Sequence, residues 1–309
     1  MKRADDEIDM TIYYHAFRAV LHGHSPYIRI PGYGPDTSPD TYLYPPQFAI
    51  LLSPLGHFSI PVYARMWFCV LLAAFWMFAY SLARISQVRT TLNGVICWAA
   101  ALWVFPNINY IMSVGQCDIV MGAAVASATA AGANRYWLLI ASNIKPYAIF
   151  PALVVSLSER SIVWKETWPL SLWLVGLPYI SDWIRDALSV IGQGTFYYEN
   201  VSVPFSVLRL LRSLGIWHYA HGPLSAGPRM YLACSAVVGP VVTSMICRKM
   251  NSRRLIAISA ISTVVFAPIC WKHYLVLCYP LLACLIGEKL RLYNRDSDTA
   301  ASQPVAACV

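Results

Sequence analysis

Long stretches of this chain carry no charged residue. Residues 66–83 lie between Arg65 and Arg84, and residues 90–117 contain no Asp, Glu, Lys or Arg. Residues 119–134 follow Asp118, 146–158 follow Lys145, and 167–181 follow Glu166. Residues 230–247, 255–271 and 273–287 complete the set. A helix crossing a bilayer needs about 20 mostly apolar residues, and shorter pieces serve where helices break or pair. None of the runs shows the period-two alternation of a membrane barrel strand. With 58% hydrophobic and only 12% charged residues, the chain cannot hide its apolar surface in a soluble core, where about 25% charged is usual. A soluble domain, a disordered chain, a coiled coil and a secreted disulfide scaffold are excluded. The expectation is one all-α polytopic membrane domain over residues 1–295, with about eight or nine membrane helical segments and a broken or re-entrant hairpin. Residues 296–309 are expected to form a short disordered cytoplasmic tail.

The net charge of +8 is informative through its distribution. Lys and Arg favour cytoplasmic loops. Placing Arg84 with Arg89, Arg135, Arg160 with Lys165, the 248–254 cluster and Lys289/Arg291/Arg295 inside leaves residues 1–61, 113–118 and 181–229 outside. Ten of the fifteen acidic residues and six of the seven His then fall in these outer segments, and His273, in the short turn between two runs, joins them on the outer side. The excess charge is a topology signal, and no basic, aromatic-interleaved module for nucleic acid is present.

The charge rule puts both Arg135 and Arg160 inside, although residues 136–158 are long enough for one span. Asn143-Ile144-Lys145-Pro146 interrupts that segment. Pro removes a helical hydrogen bond and pushes the preceding residue out of the helical region. Two short helices over 136–143 and 147–158 are therefore expected, with Lys145 near the tip of a hairpin that lines a protein cavity. The competing geometry is one Pro-kinked span with Lys145 snorkelling to the interface. Residues 47–60 are too short to span and are expected at the interface.

Four places bear chemistry. Asp9 heads Asp9-Met10-Thr11-Ile12-Tyr13, with Asp5 and Asp6 as competitors. Gly115-Gln116-Cys117-Asp118 is a polar break at the outer end of a run. Lys145 is a cation at membrane depth, which by default marks function. Pro268-Ile269-Cys270-Trp271-Lys272-His273 joins two runs by a short polar turn. Each has a plainer reading as a solvated charge, a turn or an interfacial anchor. Together they suit group transfer from an anionic lipid. A carboxylate takes the proton of an attacking hydroxyl, and Lys145 and Lys272 offset charge on a leaving phosphate. The nine Cys include no C-x-x-C, so neither zinc nor a disulfide framework is supported.

These pieces resemble glycosyltransferase family 87, a branch of the GT-C membrane glycosyltransferases that includes mannosyltransferases acting on lipid-linked acceptors. Asp9 to Tyr13, with Gly23, Pro26 and Tyr27, resembles the family's opening element. Tyr42-Leu43-Tyr44-Pro45-Pro46 resembles its Tyr-Pro-Pro element, and Gly115-Gln116 with Asp118 its Gly-Gln-x-Asn turn. Ile144-Lys145-Pro146 resembles its Lys-Pro break, Asn200-Val201-Ser202 with Arg209 its Asn-x-Ser…Arg element, and Pro268 to His273 its Ser-Pro-x-Ser-Trp-x-His turn. The resemblance departs where Asp118 stands for Asn, where Ala267 and Cys270 replace Ser, and where Lys272 and Tyr274 flank His273.

The resemblance implies inverting transfer of a hexosyl or pentosyl unit from a polyprenyl-phosphate sugar to a lipid or glycan acceptor. The reaction would occur on the outer face of the cell (inner) membrane, without cofactor or metal. Asp9 would be the base and His273 the catalytic residue of the last outer turn. Lys145, Arg209 and Lys272 are the candidate phosphate contacts; Tyr13, Tyr44, Gln116, Asp118 and Asn200 are further site candidates. The family places a span before its opening Asp, where this chain has eight residues, so a truncated inactive member is one alternative. The other is a secondary transporter or lipid flippase, which calls for internal repeats; none is visible. The topology is testable by a membrane-impermeant maleimide on a cysteine placed at position 160. Labelling only after the inner face is opened is expected, and labelling from outside would overturn the assignment.

Overall fold

A computed structural model of the chain describes residues 8–27, 42–87, 92–132, 134–159, 164–193, 200–217, 224–267, 270 and 272–301. Regular structure among them is helical. The segment read as the first outer loop holds α1 (Ile8–Leu21), α2 (Pro46–Leu52) and a 3-10 turn at Ser53–His57. Then come α3 (Ile60–Ser86), α4 (Leu92–Val104), α5 (Pro106–Val114), α6 (Asp118–Ala130), α7 (Arg135–Ser142) and α8 (Ile149–Glu159). Short pieces follow at α9 (Trp164–Thr167) and α10 (Leu172–Val175), then α11 (Ile180–Gln193) and α12 (Val203–Ser213). The chain ends on α13 (Ala226–Cys247), α14 (Ser252–Val265), a 3-10 turn at Lys272–Cys278 and α15 (Tyr279–Ala301).

The core is built on α6. Its small residues, among them Gly122, Ala123, Ala126 and Ala128, let neighbouring helices approach closely. A Cβ at Gly122 would sit 2.9 Å from Val276 and 3.4 Å from Phe78. Helix α6 accordingly packs against α3, α7, α14 and the Lys272–Cys278 turn and is buried on nearly every face. Helix α3 is two-faced instead. Tyr63, Trp67, Leu71, Phe75, Phe78 and Leu82 recur at three- and four-residue spacing and are buried. Phe68, Leu72, Trp76 and Tyr80, on the other side, are exposed and apolar. Such a face suits lipid, since one helix stripe serves the core and the other meets an apolar solvent.

Charge-free runs proved a poor guide to how many helices span. Among the described residues two helices, α3 and α13, are long and apolar enough to cross, or three if α4 and α5 count as one bent span. The expected eight or nine membrane segments are not confirmed. The 90–117 run, read as one span, bends by 83° between α4 and α5. Pro106 lies in the first turn of α5 and Phe105 before it is extended (φ −81°, ψ 124°), the conformation a following proline favours. The 167–181 run, also read as a span, breaks into short helical pieces around Pro169, Gly176 and Pro178. Gly176 there packs so closely that a Cβ would lie 2.7 Å from Gln47 Oε1. The 273–287 run divides into the 3-10 turn and the start of α15, and α15 continues through Glu288, Lys289 and Arg291.

The chain also breaks around Lys145. Helix α7 ends at Ser142, Lys145 is extended (φ −136°, ψ 115°), and a 3-10 turn at Pro146–Ala148 leads into α8. Helices α7 and α8, of 8 and 11 residues, pack on each other.

Glycine 115 joins the first outer segment to the bundle. It closes α5 in the left-handed conformation (φ +72°), and a Cβ there would lie 2.8 Å from Met10 Cβ on α1. Its carbonyl accepts from the Trp67 indole at 2.8 Å. Gly23 is also left-handed (φ +76°), but with open space around it. Ala at either site meets the left-handed penalty of about 1–2 kcal/mol; at 115 the overlap with Met10 adds about 1–3 kcal/mol. Thermal unfolding in detergent should therefore show Gly115→Ala clearly less stable than Gly23→Ala. Equal losses would mean that α1 yields without cost.

Candidate active site

Helix α1 brings Asp9 and Tyr13 to one face, because residues four apart on a helix are neighbours. Tyr13 is fully buried. Its ring meets Tyr44 edge-on at 5.0 Å, Trp67 at 5.6 Å and Phe48 at 6.0 Å. This aromatic packing docks α1 onto α2 and α3. Asp9 sits in the first helical turn, where the helix dipole favours a negative charge. It is half-buried. Desolvation pushes its carboxyl up to about 6; nearby Lys145 acts against that rise, Asp118 adds to it, and a hydrogen bond from Gln116 lowers it.

The left-handed Gly115 turns the chain so that Gln116 faces α1. The Gln116 N–H closes the turn on the Ile111 carbonyl at 2.9 Å. Its side chain is buried and used at both ends. The amide Nε2 donates to Asp9 Oδ2 at 2.5 Å. The carbonyl Oε1 accepts from Tyr44 at 3.1 Å and lies 3.3 Å from the Tyr13 hydroxyl. The Tyr13 hydroxyl also donates to that of Tyr44 at 2.6 Å.

Two residues on, Asp118 opens α6. Its Oδ1 accepts from Lys145 Nζ at 2.6 Å, with side-chain exposures of 1% and 7% respectively. The ammonium also lies 4.0 Å from the Tyr274 ring centre and 5.4 Å from that of Tyr44, close enough for cation–π attraction. Lys145 is thus a matched cation. Removing one partner of such a buried pair leaves an uncompensated charge.

Six of the candidates named from sequence therefore stand together: Asp9, Tyr13, Tyr44, Gln116, Asp118 and Lys145. Asn200 and Arg209 form a second group. Asn200 is fully buried, and its Oδ1 accepts from the backbone N–H of Ser202 at 3.2 Å and of Cys270 at 3.0 Å. Val201 N–H donates to the Cys270 carbonyl at 2.7 Å. The Arg209 guanidinium donates to the Asn200 carbonyl. This group ties the start of α12 to Cys270, three residues before His273. Lys272 and His273 belong by backbone to the Lys272–Cys278 turn; their side chains lie outside the described residues. Among the described residues no three His, Cys, Asp or Glu gather as a metal site.

Sequence reasoning gave Tyr274 and Trp67 no role. Tyr274 stood out only as a departure beside His273, and its ring covers Lys145. Trp67 lies on the buried stripe of α3, four residues from both Tyr63 and Leu71, a spacing that announces burial but not a bond to Gly115.

The profile of glycosyltransferase family 87 matches residues 42–277, more than half of the chain. The chain belongs to glycosyltransferase family 87. Family and apolar helices together make it a membrane glycosyltransferase, which uses a sugar donor and an acceptor. The family match includes Tyr44, Gln116, Asp118, Lys145, Asn200, Arg209, Lys272 and His273; Asp9 and Tyr13 precede it. No curated protein and no solved structure matches the chain significantly.

The ion pair generates a prediction. Asp118→Ala and Lys145→Met should each destabilise this family 87 member by about 3–5 kcal/mol, the usual cost of breaking a buried pair from one side. The double variant should lose less than the two single losses added together. Unfolding in detergent reads the coupling, and simple additivity would show that the charges do not depend on each other.

Proposed function

We propose that this family 87 member transfers a hexosyl or pentosyl unit, mannose-like or arabinose-like, from a polyprenyl-phosphate sugar to a lipid or glycan hydroxyl. The observation that carries this reading is the Asp9 carboxylate, anchored by Gln116 and raised to about 6 by burial. General bases work best with a pKa near the operating pH. In this reading the acceptor oxygen attacks the anomeric carbon as Asp9 takes its proton. The bond from that carbon to the phosphate oxygen breaks, and polyprenyl phosphate leaves with the bonding electrons. Attack from the side opposite the phosphate inverts the anomeric centre.

The leaving phosphate needs positive charge or hydrogen-bond donors. Lys145 is assigned that contact with its charge already matched by Asp118, so it would act mainly as an oriented N–H donor. Lys272 and Arg209 are assigned further contacts to the phosphate, and His273 a place beside the reacting centre. Distribution of acids and His in the sequence supports a site on the outer face of the cell membrane, next to the bilayer that delivers both lipids.

Asp9→Asn should lower transfer from radiolabelled polyprenyl-phosphate mannose in isolated membranes by about 10²–10⁴-fold, the range a general base contributes. In the wild type, only the deprotonated carboxyl can accept a proton. Turnover should therefore fall about tenfold per pH unit below about 6 and level off above it, following the raised pKa of Asp9. Unchanged turnover in Asp9→Asn would remove Asp9 from the reaction.

A further inference from the structure

A carboxylate offers two oxygens, and a base works only if one is held where the proton leaves. Asp9 has one oxygen engaged: Oδ2 accepts from Gln116 Nε2 at 2.5 Å. No hydrogen bond to Oδ1 is seen among the described residues, and Asp9 keeps a partly exposed edge.

The amide that holds Oδ2 is itself prevented from turning over. A hydroxyl carries one proton. The Tyr13 hydroxyl directs its proton toward Tyr44 at 2.6 Å, and Tyr44 donates on to Gln116 Oε1 at 3.1 Å. Tyr13 also lies 3.3 Å from the same oxygen. A flipped Gln116 would set its carbonyl oxygen against the Asp9 carboxylate, two acceptors with no proton between them. The donor direction therefore runs one way, from Tyr13 through Tyr44 and Gln116 to Asp9.

The parts of this chain are fixed from outside it. The Tyr27 hydroxyl donates to the Tyr44 carbonyl at 2.8 Å. The backbone of Gln116 is held by Ile111, and that of Gly115 by Trp67. Tyr27, Tyr44 and Trp67 thus bear on one carboxylate oxygen through a single group, the Gln116 amide. Holding two helices together would not require this, since the aromatic contacts of Tyr13 already dock α1.

We propose that Gln116 is a positioning residue, whose amide, oriented by Tyr13 and Tyr44, holds Asp9 Oδ2 and leaves Oδ1 as the atom that receives the acceptor proton. The assignment rests on Asp9 as the base. It adds a division of labour between the two carboxylate oxygens and a named device that enforces it. Misplacing a reacting group by about 1 Å can cost about 100-fold in rate.

The test uses the full chain in isolated membranes with radiolabelled polyprenyl-phosphate mannose. Gln116→Leu should lower kcat by about 100-fold while KM for the donor stays near wild type. It should also move the acid limb of the pH profile to higher pH, because the carboxylate loses a donor that favours its charged form. The charged groups facing Asp9, Lys145 and Asp118, are unchanged in that variant, and Tyr13, Tyr44 and Cys117 remain around them. Removing both hydroxyls, Tyr13→Phe together with Tyr44→Phe, keeps the amide and releases its orientation; a smaller loss in kcat, about tenfold, is expected. Gln116→Glu brings a second acid against Asp9 and should move the limb further up.

A kcat and acid limb in Gln116→Leu equal to wild type would overturn the proposal. So would a loss that appears only as raised KM, with kcat and the acid limb unchanged. If Gln116→Leu does not fold, the Tyr13→Phe/Tyr44→Phe double variant decides alone: a wild-type kcat there refutes the orienting chain. Asp9→Asn separates the two levels. Loss in Asp9→Asn with no effect in Gln116→Leu leaves the base standing and removes the positioning role; activity in Asp9→Asn removes both.

Discussion

The Lys145–Asp118 pair connects two places where the helical bundle is interrupted. Asp118 opens α6, and Lys145 stands in the extended break between α7 and α8. A buried lysine is tolerable only when another group matches its charge. The short contact fixes where α6 begins relative to that break. It also determines what precedes it, because Gln116 lies only two residues before Asp118, on a turn closed by a left-handed glycine. The position of Gln116, and through it that of Asp9, follows from charge pairing deeper in the protein.

Some of this was legible in the sequence for physical reasons. A four-residue spacing puts Asp9 and Tyr13 on one helix face. A glycine followed by polar residues at the end of an apolar run marks a turn, and Pro146 marks a break. Contacts between distant segments carried no such signal. Lys145 read as a free cation because its partner lies 27 positions away, and nothing in the sequence pairs the two. Tyr274 over that lysine was hidden for the same reason. The span count from charge-free runs is not confirmed, because the absence of charge says where lipid is permitted, not where the backbone stays helical. Phe105-Pro106 and the Pro169–Pro178 stretch contain no charge and still end helices.

The two groups of site candidates differ in how they are held. The Asp9 group is fixed by side chains acting on side chains, within an aromatic shell from α1, α2 and α3. The Asn200 group is fixed by one side chain acting on two backbone N–H groups, with Arg209 holding the same residue's carbonyl. Main-chain ties of this kind set the course of a loop whatever side chains flank it. The first arrangement suits a group whose exact orientation matters to chemistry. The second suits a scaffold that carries the turn leading to Lys272 and His273.

Helix α13 is attached more loosely than any part of this site. Only 22% of its most apolar stretch is buried, against 50% for α3. Leu232, Pro240 and Ser244 face protein, whereas Val237, Val238, Val241, Met245 and Ile246 face outward. Among the described residues, most of its apolar side chains are left uncovered, a face that suits acyl chains. Its tilt should follow bilayer thickness, since a helix of fixed apolar length leans or straightens as the hydrocarbon layer changes. Because α13 packs against α12 and α14, a change in its tilt would bear first on α12, the helix that follows Asn200.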